Sequence, residues 1–128
     1  MSTRRSIHNT SLTDGEIVEQ SDMGSITRVT ADTFPILKRL SINPGAMRTS
    51  HWHANANELT YCLSGTSLVS VLDTGSVFST FTVGAGEMFH IDSGSLHHIE
   101  NIGDEVAEFS SPSGASAPRT SVEPRSAR

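Results

Sequence analysis

Two histidines and a glutamate lie close together between two glycines, Gly45 and Gly65. His51 and His53 stand two residues apart, and Glu58 follows five residues after His53. Imidazoles at positions i and i+2 point to the same face of a β-strand, because side chains alternate across a strand with period two. A carboxylate that arrives after a short turn can complete one side of a metal site. Imidazole and carboxylate ligands suit Mn, Fe, Zn, Ni or Cu, so this spacing predicts a metal site without naming the metal.

A second glycine-framed segment, residues 86–101, carries two adjacent histidines, His97 and His98, in the sequence G-E-M-F-H-I-D-S-G-S-L-H-H-I-E-N. Alternation along a strand points the two rings to opposite faces, so at most one of them joins a given interior site. One more histidine would give a set of three histidines and one carboxylate. Such a set leaves coordination positions open on an octahedral metal, as a catalytic site requires. The alternative interpretation is that these are ordinary hydrogen-bonded polar residues on strands.

The elements that must position these residues are predicted to be short β-strands. From Gly45 onward, runs with strand propensity alternate with glycine-containing turns, a pattern typical of an antiparallel sandwich or small barrel. Upstream, Leu40 and Ile42 share one strand phase. We find no credible helix of useful length, so the predicted fold class is all-β. Regular structure is predicted to begin near Ser25, with the run I-T-R-V-T-A, and the strands that follow are predicted at 36–42, 47–53, 59–63, 67–72, 77–83, 87–91, 96–101 and 105–109.

The chain has 128 residues, which suffice for one domain with one hydrophobic core. Residues 1–24 are polar and aperiodic, and they are predicted to form an N-terminal arm. Residues 25–109 are predicted to form the folded domain. Residues 110–128 are rich in Ser, Pro, Ala and Arg and cannot bury enough apolar surface to offset their ordering entropy. We therefore predict that they form a low-complexity tail that is disordered or held only by intermolecular contacts.

Composition and charge exclude several classes of function. The chain has 14 acidic and 9 basic residues, and no basic stripe with interleaved aromatics, so we expect no nucleic-acid partner. No stretch has the apolar length that spans a bilayer, and no apolar run follows Arg4 and Arg5 as an export signal would require. We therefore expect a cytoplasmic protein without a membrane partner. A single cysteine, Cys62, excludes an intrachain disulfide.

The two glycine-framed segments resemble the two signature motifs of the cupin superfamily. The resemblance implies a cupin domain over 25–109, a β-barrel of double-stranded β-helix type related to the jelly roll. It also implies that His98 points away from the metal. The metal ligands that it implies are His51, His53, Glu58 and His97. One position departs from the family pattern, because Asp92 stands where proline is usual. The residues that match are Gly45, His51, His53, Glu58 and Gly65 in the first motif and Gly86, Gly94, His97 and Asn101 in the second.

Within the superfamily, the run P-G-A-M-R-T-S-H-W-H-A-N-A-N-E-L-T-Y is most similar to the oxalate decarboxylase, oxalate oxidase and germin-like group. The resemblance implies Mn(II), with Fe, Zn, Ni and Cu as alternatives, and carbon–carbon cleavage of a small carboxylate such as oxalate. It also implies that Arg48 contacts the substrate carboxylate, a role that suits a guanidinium group. Strict alternation puts Arg48 out of phase with His51, so this role requires a bulge or bend. An exposed arginine is the alternative.

Catalysis is a separate prediction from metal binding. The oxalate decarboxylases have a flexible lid after the second motif that carries a glutamate acting in proton transfer. Nothing in residues 110–128 resembles that lid, and Glu123 is the only acid there. Two alternatives therefore stay open, another three-histidine, one-glutamate cupin enzyme such as an iron dioxygenase, or a non-catalytic cupin that binds a metal or small ligand. We expect a homodimer, because short cupins usually bury barrel edges against a partner. His90 and His98 are interpreted as packing or surface residues.

Overall fold

Eleven β-strands and no α-helix make up the part of the chain that the computed structural model describes, residues 15–31, 34–54, 56–112 and 121–125. No helix in these residues is long and apolar enough to cross a membrane. The all-β class predicted from the sequence is confirmed. The strands are β1 (Glu16–Ser21), β2 (Gly24–Ala31), β3 (Phe34–Ile42), β4 (Ala46–His51), β5 (Glu58–Ser64), β6 (Thr66–Leu72), β7 (Phe78–Gly84), β8 (Met88–Ile91), β9 (Leu96–Asn101), β10 (Ala107–Pro112) and β11 (Val122–Pro124).

The strands form two antiparallel sheets. One has six strands in the order β1-β2-β3-β10-β5-β8, and the other has five in the order β11-β4-β9-β6-β7. Alternation sends every second side chain inward. On β5 the even-numbered residues from Glu58 to Cys62 are buried, whereas Tyr61 and Leu63 are exposed. The inward apolar residues of both sheets make one core. Two of its rings, Phe89 and Phe109, contact edge to face, and the partly buried Phe81 contacts Phe89 in the same way.

The turn after β9 is held by one buried side chain, Asn101, which is 0% exposed. Its amide nitrogen donates to the carbonyl oxygens of Ile42 at 2.9 Å and Glu105 at 2.8 Å. Its side-chain oxygen accepts from the backbone N–H of Gly103 at 2.9 Å. Two of these hydrogen bonds close the turn and the third ties it to β3, at the end of the second glycine-framed segment.

The ends of the chain differ from the sequence prediction where the structure describes them. Strand β1 lies inside the predicted arm, 1–24, and pairs with β2. Most of its side chains are exposed, so no apolar alternation marks it in the sequence. Strand β11 lies inside the predicted tail, 110–128, and pairs with β4, and its single buried residue, Val122, packs into the core. Residues 110–112 of the predicted tail belong to β10, so the strand runs past the predicted domain end at 109. Residues 1–14, 113–120 and 126–128 lie outside the described residues.

The two glycines that frame the first motif, Gly45 and Gly65, have different surroundings. Gly65 and Gly45 both adopt left-handed backbone conformations, with φ of +81° and +78°. A Cβ on Gly65 would lie 2.8 Å from the Cα of Ala107, whereas a Cβ on Gly45 would meet nothing within 4 Å. A left-handed conformation alone costs an L-residue about 1–2 kcal/mol. Gly65 is therefore constrained by backbone conformation and by space, and Gly45 by conformation only.

Replacing these two glycines with alanine should separate the two constraints. We expect Gly45→Ala to lower the free energy of unfolding by about 1–2 kcal/mol, the cost of the conformation. Gly65→Ala should lower it by about 2–4 kcal/mol, because the backbone of β10 must also move. Urea unfolding of both variants measures the difference. Equal losses in the two variants would show that the close approach to Ala107 is not a constraint.

Candidate metal centre

Four side chains meet inside the barrel, and they are the four predicted as metal ligands, His51, His53, Glu58 and His97. Each offers one ligand atom, and these atoms all lie within 4.8 Å of one another. The residues come from both sheets, since His51 and His97 lie on β4 and β9, Glu58 begins β5, and His53 follows β4. Strand pairing therefore brings together residues that are up to 46 positions apart in the chain.

The ring orientation of two of the histidines is set by backbone carbonyl groups. His51 and His97 are direct cross-strand partners in the β4–β9 ladder. The Nδ1 of His51 lies 2.9 Å from the carbonyl oxygen of Thr49, and the Nδ1 of His97 lies 3.0 Å from that of Ser95. A carbonyl oxygen can only accept, so each Nδ1 is the donor. This fixes the tautomer of a neutral ring and leaves Nε2 with its lone pair, as a metal ligand requires.

His53 and Glu58 are held by the loops that face them. Strand β4 ends at His51, not at His53 as the sequence pattern predicts. The carbonyl oxygen of His53 instead accepts a hydrogen bond from the backbone N–H of Gly94 at 2.7 Å. The side-chain oxygen of Asn57 accepts from the backbone N–H of Ser93 at 2.9 Å, directly before Glu58. The turn of the second motif therefore positions the ligands of the first.

The ligand atoms face one another without hydrogen-bond partners. The Nε2 of His97 lies 3.1 Å from Oε2 of Glu58, and the Nε2 of His53 lies 3.5 Å from Oε1. All three Nε2 atoms and Oε2 of Glu58 are buried and unpartnered within the described part of the chain. Lone pairs that point at one another repel, and buried polar atoms without partners destabilise the fold. A divalent cation among these four atoms would remove both costs, so the residues present fit a metal ion.

The protonation states of the cluster also suit a metal. Burial, with the nearby positive charge of Arg48 and the ring of His97, lowers the pKa of His51 to about 3. The ring is therefore neutral at physiological pH and can ligate without losing a proton. Burial acts to raise the pKa of Glu58, but the contacts with His53 and His97 and the charge of Arg48 outweigh it. The net effect is a pKa below the usual range, so Glu58 is ionised.

Arg48 reaches the cluster through an irregularity in β4. The β4–β9 register shifts between Arg48 and His51, which is the bulge that the sequence pattern requires for the two to share a face. Arg48 is only 5% exposed, and its Nη1 lies 4.0 Å from Oε1 of Glu58. The alternative of an exposed arginine is therefore wrong. Arg48 places a cation beside the one carboxylate of the cluster.

A cavity of about 160 Å³ adjoins the cluster at His53 and Glu58. This volume is below the ~300–1,000 Å³ typical of sites for drug-sized ligands, so the cavity suits a small molecule. The sequence patterns did not identify Lys38 or Ser111 as site residues, although Lys38 shares its strand phase with the apolar Leu40. The available sequence signal was a charged residue, Lys38, at a strand position whose same-face neighbour is apolar. The lining residues are Lys38, His53, Ala56, Asn57, Glu58, Ser111 and Pro112.

The remaining histidines lie away from the cluster. His98 points to the other face of β9, where its Nε2 lies 3.0 Å from Oε1 of Glu100. The side chain of His90 is 54% exposed and lies 3.6 Å from Asp92. Both positions agree with the interpretation of these residues as packing or surface histidines.

Comparison with known proteins assigns these motifs to a family. The family model described as Cupin matches residues 11–120. The Bacillus subtilis oxalate decarboxylase is 32% identical over 95 residues, which are 70% of this chain and 25% of that protein. The rice germin-like protein 3-8 is 30% identical over 91 residues, which are 66% of this chain and 40% of that protein. The chain thus spans well under half of each of these relatives.

Solved structures show the same fold. A structure of the Bacillus subtilis oxalate decarboxylase, from work on its Mn(II) centres, matches with a TM-score of 0.72 at 27% identity, over 85% of this chain and 30% of that one. The cupin domain of Drosophila melanogaster CENP-C matches with a TM-score of 0.73 over 88% of this chain and 86% of that one. At 17% identity, the second likeness shows the fold alone.

Removing one ligand should abolish tight metal binding. Changes to residues that merely orient ligands cost about 10–100-fold in metal affinity, so we expect His97→Ala to lower Mn(II) affinity by about 100-fold or more. In the unaltered chain, Mn(II) at 100 times its dissociation constant should stabilise the fold by about 2.7 kcal/mol, a gain that a chelator removes. Equilibrium dialysis and thermal unfolding measure the two effects.

The matched controls are His98→Ala, the neighbouring residue on the other face of β9, and His90→Ala, an exposed histidine. Both should bind Mn(II) as the unaltered chain does. An unchanged metal content in His97→Ala would show that the cluster is not the metal site.

Proposed function

The chain belongs to the cupin family, and from that membership we propose that it is a metal-binding cupin with Mn(II) chemistry on a small carboxylate, of the oxalate decarboxylase or oxalate oxidase type. The observation that carries the metal is the set of four buried, mutually facing donor atoms without hydrogen-bond partners. The relatives named oxalate decarboxylase support the carboxylate and, through the Mn(II) centres of the Bacillus subtilis protein, the metal.

The residues that would hold the ion are His51, His53, Glu58 and His97. Three neutral nitrogens and one carboxylate leave positions open on an octahedral ion, where a substrate carboxylate can bind. A bound Mn(II) supplies a Lewis-acidic, redox-capable centre at that point. Fe, Zn, Ni and Cu suit the same ligand types, so metal analysis of the purified chain is the first measurement.

The chain's own contribution to the reaction is positive charge and a small cavity. Arg48 is buried beside Glu58, so its positive charge acts through a medium that screens it weakly. We assign it to neutralising the carboxylate that binds next to Glu58. The small size of the adjoining cavity limits the substrate to a short acid. Both features favour a compact anion over a neutral or bulky ligand.

A non-catalytic metal- or ligand-binding cupin is the second candidate. It is favoured by the position of Glu123, the only acid of residues 110–128. Glu123 lies on β11, and its Oε1 accepts a hydrogen bond from the hydroxyl of Ser121 at 2.8 Å. It does not line the cavity. Within the described residues, the lid glutamate implied by the family resemblance has no counterpart there. The predicted homodimer and cytoplasmic location stay predictions.

Turnover of oxalate tests the choice between these candidates. We expect the Mn(II)-loaded chain to convert oxalate and one proton to carbon dioxide and formate, or oxalate, dioxygen and two protons to two molecules of carbon dioxide and one of hydrogen peroxide. Formate, peroxide and carbon dioxide are each measurable. A chain that binds Mn(II) stoichiometrically and forms none of these products supports the non-catalytic candidate. A chain that purifies with iron and is inactive on oxalate supports an iron dioxygenase.

Removing the Arg48 charge should reduce turnover more than metal binding. We expect Arg48→Gln to lower kcat/KM for oxalate by about 100-fold, the usual cost of losing one preorganised charge or donor at a reacting group. Its Mn(II) content should stay unchanged. The control is Arg39→Gln, which removes a cation that pairs with Glu108 outside the site. An unchanged kcat/KM for oxalate in Arg48→Gln would show that Arg48 does not act in the site.

A further inference from the structure

Lys38 is a charged residue on the inward face of a strand. On β3 it shares its phase with Leu40 and Ile42, which are 5% and 0% exposed. It lies at the boundary between the apolar core and the cavity beside the metal cluster. It lines that cavity together with His53 and Glu58. Its cross-strand partner on β10, Ser111, lines the same cavity with a hydroxyl group. Lys38 is also the only lysine in the chain.

The charge of Lys38 is not neutralised by a close carboxylate. In the residues that the structure describes, Lys38 forms no ion pair within 4.0 Å. Burial and the positive charges of Arg48 and Arg28 lower its pKa, against the opposing effect of Glu58. A half-buried ammonium group among other cations destabilises the fold unless an anion binds to it. The position therefore has the chemistry of an anion site.

We propose that Lys38 binds the second carboxylate of a small dicarboxylate whose first carboxylate occupies the metal centre. This inference rests on the proposed function and deepens it, because it assigns the substrate class. Arg48, and a metal ion when one is bound, would supply positive charge beside Glu58, and Lys38 supplies it at the cavity that Glu58 also lines. A monocarboxylate would leave one of these two sites without its anion.

The cavity supports a dicarboxylate over larger polyanions. Its volume is about 160 Å³, and its lining combines the cation with small or amide side chains, Ala56, Asn57 and Ser111. Charge-assisted hydrogen bonds from an ammonium group are about twice as strong as neutral ones, so Lys38 would contribute more than the hydroxyl of Ser111. Lys38 therefore acts as a specificity-determining residue, whereas Arg48 contacts Glu58 and does not line the cavity.

Acetylation of the single lysine tests the inference directly. The full chain, loaded with Mn(II) and kept under nitrogen to prevent turnover, is treated with an amine-acetylating reagent, and the rate at Lys38 is followed by peptide mass spectrometry. Oxalate at ten times its dissociation constant should slow that rate by about tenfold through mass action. Acetate at the same occupancy should not slow it. The α-amino group of the chain is the internal reference.

Variants at position 38 separate binding of the second carboxylate from structure. Lys38→Met should weaken oxalate binding by about tenfold or more and leave acetate binding unchanged, while Lys38→Arg retains the preference for oxalate. The matched control is Arg39→Met, which removes one cation from the next residue on the opposite face of β3. It should bind both anions as the unaltered chain does. The Mn(II) content is measured after each titration, because free oxalate itself binds the metal.

The outcomes distinguish the two proposals. An unaltered chain that holds Mn(II) and binds oxalate, but whose Lys38 is acetylated equally fast with and without oxalate, overturns this inference and leaves the metal centre standing. Equal losses of oxalate and acetate binding in Lys38→Met overturn it as well. An unaltered chain that binds no divalent metal overturns the proposed function on which the inference depends.

Discussion

Four buried ligand atoms within 4.8 Å of one another impose the main physical constraint on this protein. Each such atom without a partner costs about 1–3 kcal/mol, so the apo fold carries an unfavourable term at its centre. The surrounding structure must hold the four groups against that cost. A bound cation would turn the same arrangement into a stabilising one, which couples metal binding to stability.

The two-sheet architecture meets this constraint by strand register. His51 and His97 are cross-strand partners on β4 and β9, and Glu58 enters from the opposite sheet at the start of β5. Loop contacts complete the set, because Gly94 holds the backbone of His53. Backbone carbonyls orient the two partnered rings and select their tautomer. The ligands are thus placed by strand pairing and by loop hydrogen bonds.

Charge around the cluster favours anions. Arg48 lies inside the barrel behind Glu58, and Lys38 lies at the cavity, so two cations accompany one carboxylate. Metal binding and turnover are separable in this arrangement. The cluster depends only on residues that the two motifs contain, whereas the resemblance to the oxalate decarboxylases implies a lid glutamate for turnover as well. Because the chain matches only 25% of the Bacillus subtilis protein, that protein's full activity does not transfer with the motif.

The sequence alone determined the fold class, the motif glycines and the identity of the four clustered residues. It could do so because strand periodicity and turn residues are local signals, and because both motifs have family spacing. Only the tertiary structure decided where Arg48 and Lys38 lie. The position of Arg48 depends on a register shift between β4 and β9. Lys38 lines a cavity together with residues of β5 and β10 that are distant from it in the chain. Strands β1 and β11 were missed for a related reason. They are held by backbone pairing with their neighbours, and their own sequences carry almost no apolar alternation.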